Sequence, residues 1–124
     1  MSQARVAFYG FALVYLLGVV VQFFLAGLAV FGVRSYDAHT GLGYVLGLIS
    51  LVLLGLAIGA KLPRSVTALS TVLIALNAVQ IVLIQVDIAE VNALHLVNAL
   101  AIAFVANMLV HRSRRYLASK MAVP

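Results

Sequence analysis

The chain has 124 residues, of which 65% are apolar and 9% charged, against roughly 45–50% and about 25% in an ordinary soluble domain. Folded in water it would lack the polar surface to cover itself, which excludes soluble globular, disordered and coiled-coil classes. The absence of cysteine excludes disulfides, thiolate metal sites and Cys-linked haem, and a net charge of +5 without an aromatic-interleaved basic groove points to lipid rather than nucleic acid.

The first apolar stretch covers residues 6–33. It far exceeds the apolar core of a signal peptide, roughly 7–15 residues, so it is expected to stay attached and to tilt in the bilayer. The second covers 41–60, the third 65–86 and the fourth 91–110, each near the ~20 residues that cross a bilayer. A short basic tail, 111–124, follows. The connections at 34–40, 61–64 and 87–90 are short enough to make sequential spans antiparallel neighbours. The expected fold is all-α: one polytopic membrane domain over 1–124, an antiparallel four-helix transmembrane bundle.

Charge orients it. Arg5, Lys61, Arg64, Arg112, Arg114, Arg115 and Lys120 fall on one side of the spans. Arg34 falls on the other with all three acids, Asp37, Asp87 and Glu90. The positive-inside rule then places both termini in the cytoplasm, and the expected location is a bacterial plasma membrane. The basic tail is expected to lie along the anionic inner leaflet and to serve no cofactor.

Acids and bases are absent from the deep positions of every span. Coupled transporters need such charges, so a transporter is disfavoured. The deep polar residues are Gln22, Ser50, Thr67, Ser70, Thr71, Asn77, Gln80, Gln85, Asn98 and Asn107, read as hydrogen bonds between helices. His111 opens the basic tail and reads as interfacial.

His39 and His95 read differently. Both stand near the outer end of a span, the second and the fourth, which are diagonal across an up-down bundle. Two imidazoles facing each other there can ligate one haem iron from both sides. Gly43 and Gly47 stand four and eight residues after His39, and Ala99 and Ala103 hold the same places after His95. Residues four apart share a helix face, so each histidine heads a stripe of small residues with room for a porphyrin. The simpler reading is that such stripes let helices pack closely. Arg34, the outer-side base, is placed to pair with a haem propionate.

The halves also repeat. Val21-Gln22-Phe23-Phe24-Leu25 in the first span is matched by Val79-Gln80-Ile81-Val82-Leu83 in the third. A histidine follows each glutamine after 17 and 15 residues respectively. Two similar helical hairpins related by an axis along the membrane normal would set one histidine from each around a central ligand.

His39 in Asp-Ala-His-Thr-Gly-Leu-Gly-Tyr-Val-Leu-Gly-Leu, His95 in Ala-Leu-His-Leu-Val-Asn-Ala-Leu and the Val79-Gln80 element carry a resemblance. The arrangement resembles one four-helix half of the heme A synthase family, whose halves each hold a haem between histidines of their second and fourth helices. The chain departs from that family in having four spans rather than eight. Tyr36 stands where the family's catalytic carboxylate lies, with Asp37 one position closer to the histidine, and Thr40 stands where an arginine commonly follows. The outer-loop cysteines of many members are missing as well. The resemblance therefore implies haem binding rather than oxidation of a haem methyl group.

Three functions follow in order. The first is a membrane protein binding one non-covalent b-type haem through His39 and His95, for electron transfer or haem handling. The second is a cofactor-free accessory or assembly subunit, packed in a larger membrane complex or a homodimer. The third is a small transporter.

Overall fold

A computed structural model describes residues 3–121 as four α-helices. They are α1 (Gln3–Val30), α2 (Asp37–Gly59), α3 (Arg64–Gln85) and α4 (Ala89–Met121), each long and apolar enough to cross a membrane. The last few residues of the basic tail lie outside the described residues. The rest of that tail continues α4 as helix through His111, Arg112 and Arg115.

Backbone chemistry sets the helix ends. α1 stops before its apolar run does, because Gly32 takes a left-handed φ of 71°. The Gly32 amide then donates to the Ala29 carbonyl and the Val33 amide to that of Leu28, satisfying two terminal carbonyls. α2 ends in the same pattern, with Lys61 at φ 51°, its amide on Ile58 and the Leu62 amide on Ala57. Pro63 then starts α3, where a missing N–H costs nothing. At the start of α2, Asp37 favours the helix N-terminus electrostatically and accepts from the Ser35 hydroxyl at 2.7 Å. α2 therefore begins before its apolar run, and His39 sits within its first turn.

The helices close a ring: α1 packs on α2, α2 on α3, α3 on α4, and α4 back on α1. Packing is uneven along it. Phe8, Ala12 and Tyr15 of α1, Leu53 and Ala57 of α2, Val66 and Leu73 of α3, and Ala106 and Leu109 of α4 form a buried core. All lie toward the end that carries the α2–α3 connection. Buried Ser50, Ser70 and Ser113 turn their hydroxyls onto carbonyls three or four residues back in their own helices. Ser50 and Ser70, expected from the sequence to bond between helices, bond within their own instead, and the small size of all three lets neighbouring helices approach while the hydroxyl stays satisfied. The outer surface is apolar, with Leu17, Phe24, Leu48 and Phe104 among the exposed side chains.

Candidate functional site: a cavity headed by two histidines

Toward the opposite end the helices part around a cavity of about 540 Å³, within the roughly 300–1,000 Å³ of small-molecule and cofactor sites. Its wall is largely apolar, from Val19, Phe23, Ile81, Ile84, Leu96 and Ile102. Polar groups enter it from all four helices, among them Tyr15 and Gln22, His39 and Thr40, Asn77 and Gln80, and His95.

The histidines meet across the ring. Their ring centroids are 6.1 Å apart at an interplanar angle of 60°. α2 and α4 make no close backbone approach among the described residues, so this contact spans the diagonal. His95 lies about two turns into α4 and His39 only one into α2, yet the helices start at different heights and the rings come level.

The two hairpins hold their histidines alike. His39 Nδ1 lies 3.2 Å from the Gln22 backbone carbonyl, and His95 Nδ1 lies 3.2 Å from that of Gln80. A carbonyl only accepts, so each Nδ1 carries the ring proton and each Nε2 keeps its lone pair. That is the tautomer in which a histidine ligates a metal through Nε2 with its other nitrogen anchored.

Beyond the anchors the halves differ. The Gln80 amide nitrogen donates to the His95 carbonyl at 3.1 Å and lies 3.0 Å from His95 Nε2. Asn98 locks it, donating to Gln80 Oε1 and to the Leu76 carbonyl at 2.9 Å. Three residues after His39 the equivalent position is Leu42, which has no donor. Gln22 Oε1 is accordingly buried without a partner. The Gln22 amide nitrogen rests against Gly43, 3.0 Å from where a Cβ would be. At the deep end Asn77 donates to the Tyr15 hydroxyl at 2.8 Å, linking α3 to α1 across the other diagonal.

Of the residues singled out from sequence, His39, His95, Gly43 and Ala99 line the cavity. Gly47 and Ala103 do not: Gly47 accepts the Ser50 hydroxyl, and Ala103 packs on the core. A helix face drifts with each turn, so the stripe at the eighth residue has rotated out of the wall. Arg34 is exposed in the α1–α2 connection and is not part of the lining. Tyr36 lines the rim, edge-on to His39 with centroids 6.2 Å apart. Tyr15 is a cavity residue that the sequence pattern did not single out; its one signal is a phenol in the middle of an apolar span.

Two nitrogens on opposite sides of one ion need about 6 Å between ring centres, from two bonds of about 2 Å and roughly 1 Å within each ring. The 6.1 Å between ring centres matches that span in length, while His95 Nε2 itself lies 3.0 Å from the Gln80 amide nitrogen. Among the described residues, no group of three or more His, Cys, Asp or Glu comes together to hold a metal ion. A metal held between them would have two imidazoles as its protein donors, and its other ligands would have to arrive with it.

Residues 22–87 match the model of a family described as Family of unknown function (DUF6220). The matched segment contains Gln22, His39 and Gln80 and stops before His95. No curated protein and no solved structure matches the chain.

Proposed function

The chain belongs to the DUF6220 family, and from its own residues we propose that it is an integral membrane protein holding one non-covalent b-type haem between His39 and His95. The observation that carries this reading is the imidazole pair in the cavity, ring centroids 6.1 Å apart, with both Nδ1 atoms anchored on backbone carbonyls. The apolar cavity wall would exclude water, and Gly43 and Ala99 leave room beside the ligands. Bound there, haem supplies one-electron transfer, and two imidazoles leave no open position for oxygen. For His95 to ligate, the Gln80 amide would have to leave Nε2, keeping the His95 carbonyl and Asn98 as partners.

The helices would cross the bilayer antiparallel, both termini on the cytoplasmic side and the histidines near the outer side, as the basic residues at one end support. Since the chain has no cysteine, single cysteines at Ser35 and Ser119 report this directly. The first should label from outside intact cells and the second only after permeabilisation; labelling of both from outside would refute the orientation.

Protein purified from haem-replete cells should show a Soret band with six-coordinate, low-spin character. His39→Ala or His95→Ala should each give a five-coordinate, high-spin spectrum or lose the haem. Wild-type protein without Soret absorption would sink the reading. A cofactor-free accessory subunit then takes its place, a reading favoured by one observation: Gln80 satisfies His95 Nε2 from within the chain.

A further inference from the structure

α4 packs on α3 and on α1, and its outer face is left uncovered. Along that face stand Val97, Leu100, Phe104, Asn107, His111 and Arg114, all exposed. Their spacing alternates between three and four residues, so they form one continuous seam of the kind by which helices pair. One member is out of place in lipid. Asn107 lies within the apolar stretch, five residues before Arg112, and so about 7–8 Å deeper than the first cation of the basic tail. Expected from the sequence to bond between helices, its amide instead faces outward and makes no hydrogen bond among the described residues. Asn77 and Asn98, by contrast, both reach other helices of the ring.

Lipid tails offer an amide neither donor nor acceptor, so an unpartnered one is unfavourable there. Arginine and lysine escape by stretching to the headgroups, for which asparagine is too short. A second copy of the chain supplies the missing partner by symmetry. Copies inserted in the same direction are related by an axis along the membrane normal, so α4 meets α4 in parallel and each residue of the seam faces itself. An amide carries both N–H donors and an oxygen acceptor, so two Asn107 side chains facing across such an axis satisfy one another reciprocally. Toward the histidine end, Val97, Leu100 and Phe104 supply apolar contact to the same seam. His111 and Arg114 continue it beyond the apolar stretch, where water and salt screen the like charges of Arg114.

We propose that the protein pairs with a second copy of itself along the exposed face of α4, the two Asn107 amides bonded to each other across a two-fold axis. The amide favours a second copy over lipid alone, and as the one uncharged polar group in an apolar stretch of the seam it fixes the register. None of the seam residues lines the histidine cavity, so the pairing leaves that site as it stands. The proposal rests on the membrane-spanning reading and is independent of any haem.

The test uses full-length Ser35→Cys protein, labelled with donor or acceptor dye and reconstituted in phosphatidylcholine liposomes over a range of protein-to-lipid ratios. Energy transfer should rise with that ratio as for two associating copies. Adding Asn107→Leu should weaken association about fivefold. Adding Asn107→Gln, which keeps the amide, should leave it within about twofold of the parent. Leucine suits a lipid-facing position, so the loss cannot come from failed insertion. Independently, Leu100→Cys on the seam should form a disulfide-linked dimer when membranes are oxidised with copper phenanthroline. Leu48→Cys, on the exposed face of α2, should not. A parent that stays monomeric at every ratio, an Asn107→Leu variant that associates as the parent does, or cross-linking at Leu48→Cys without Leu100→Cys would each overturn the proposal. Alkaline extraction of cell membranes checks insertion separately: release of the parent would refute the spanning reading itself, a result distinct from an inserted monomer.

Discussion

The two ends of the ring are built on different terms. At one end Phe8, Leu53, Leu73 and Leu109 are fully buried, and serines let the helices draw together. Around the histidines the same four helices enclose about 540 Å³ and place polar groups against apolar walls. In a bilayer, lipid tails are as apolar as leucine, so close packing and hydrogen bonds hold helices together rather than escape from water. The closed end uses the first. The open end relies on the second, with the Gln80–His95–Asn98 set in one hairpin and a thinner counterpart in the other. Close packing therefore anchors one end, while the other keeps an open cavity.

Substitutions can break this contrast in graded steps. Leu73→Ala, at a site with no exposure, should cost about 2 kcal/mol. That is the low end for such truncations, because the transfer term largely cancels in lipid and the cavity term remains. Leu96→Ala, 60% exposed in the cavity wall, should cost less than about 0.5 kcal/mol. Unfolding of both in the same detergent compares them, and equal costs would erase the distinction between the ends.

Gly43→Leu fills the open end instead. Its first carbon meets only the movable Gln22 amide, so stability should change by about 1 kcal/mol or less while the Soret band disappears. A variant that keeps both its fold and a full Soret band would show that the ligand space lies elsewhere.

The smallest effect tests the asymmetry between hairpins. Asn98→Leu gives the second hairpin the residue that Leu42 supplies in the first, and leaves Gln80 Oε1 without its donor. The loss should be about 0.6 kcal/mol. With its amide no longer locked, Gln80 should release His95 more readily, so haem uptake by the apo protein should be faster than in wild type. Unchanged or slower uptake would show that Gln80 does not restrain that ligand.

Much of this architecture is legible in the amino-acid sequence. Four helices follow from four long apolar runs, since a chain so poor in polar residues must satisfy its backbone internally. The paired glutamines and histidines also point to a repeated hairpin, and the matching Gln22–His39 and Gln80–His95 anchors give it a geometry. Those anchors use backbone carbonyls, however, whereas the sequence displays only the glutamine side chains.

Helix register and helix crossing lie beyond a linear pattern. Counting four and eight residues from each histidine puts Gly47 and Ala103 beside Gly43 and Ala99, but the first pair turns away from the cavity. The Tyr15–Asn77 bond joins residues 62 apart, and Asn98 reaches back 18 residues to Gln80. No local spacing rule reaches that far. Composition and periodicity determined that the chain forms long apolar helices with histidines at one end. Which side chains meet there depended on how the helices lean together, because small residues at the closed end let backbones approach and leave the other end open.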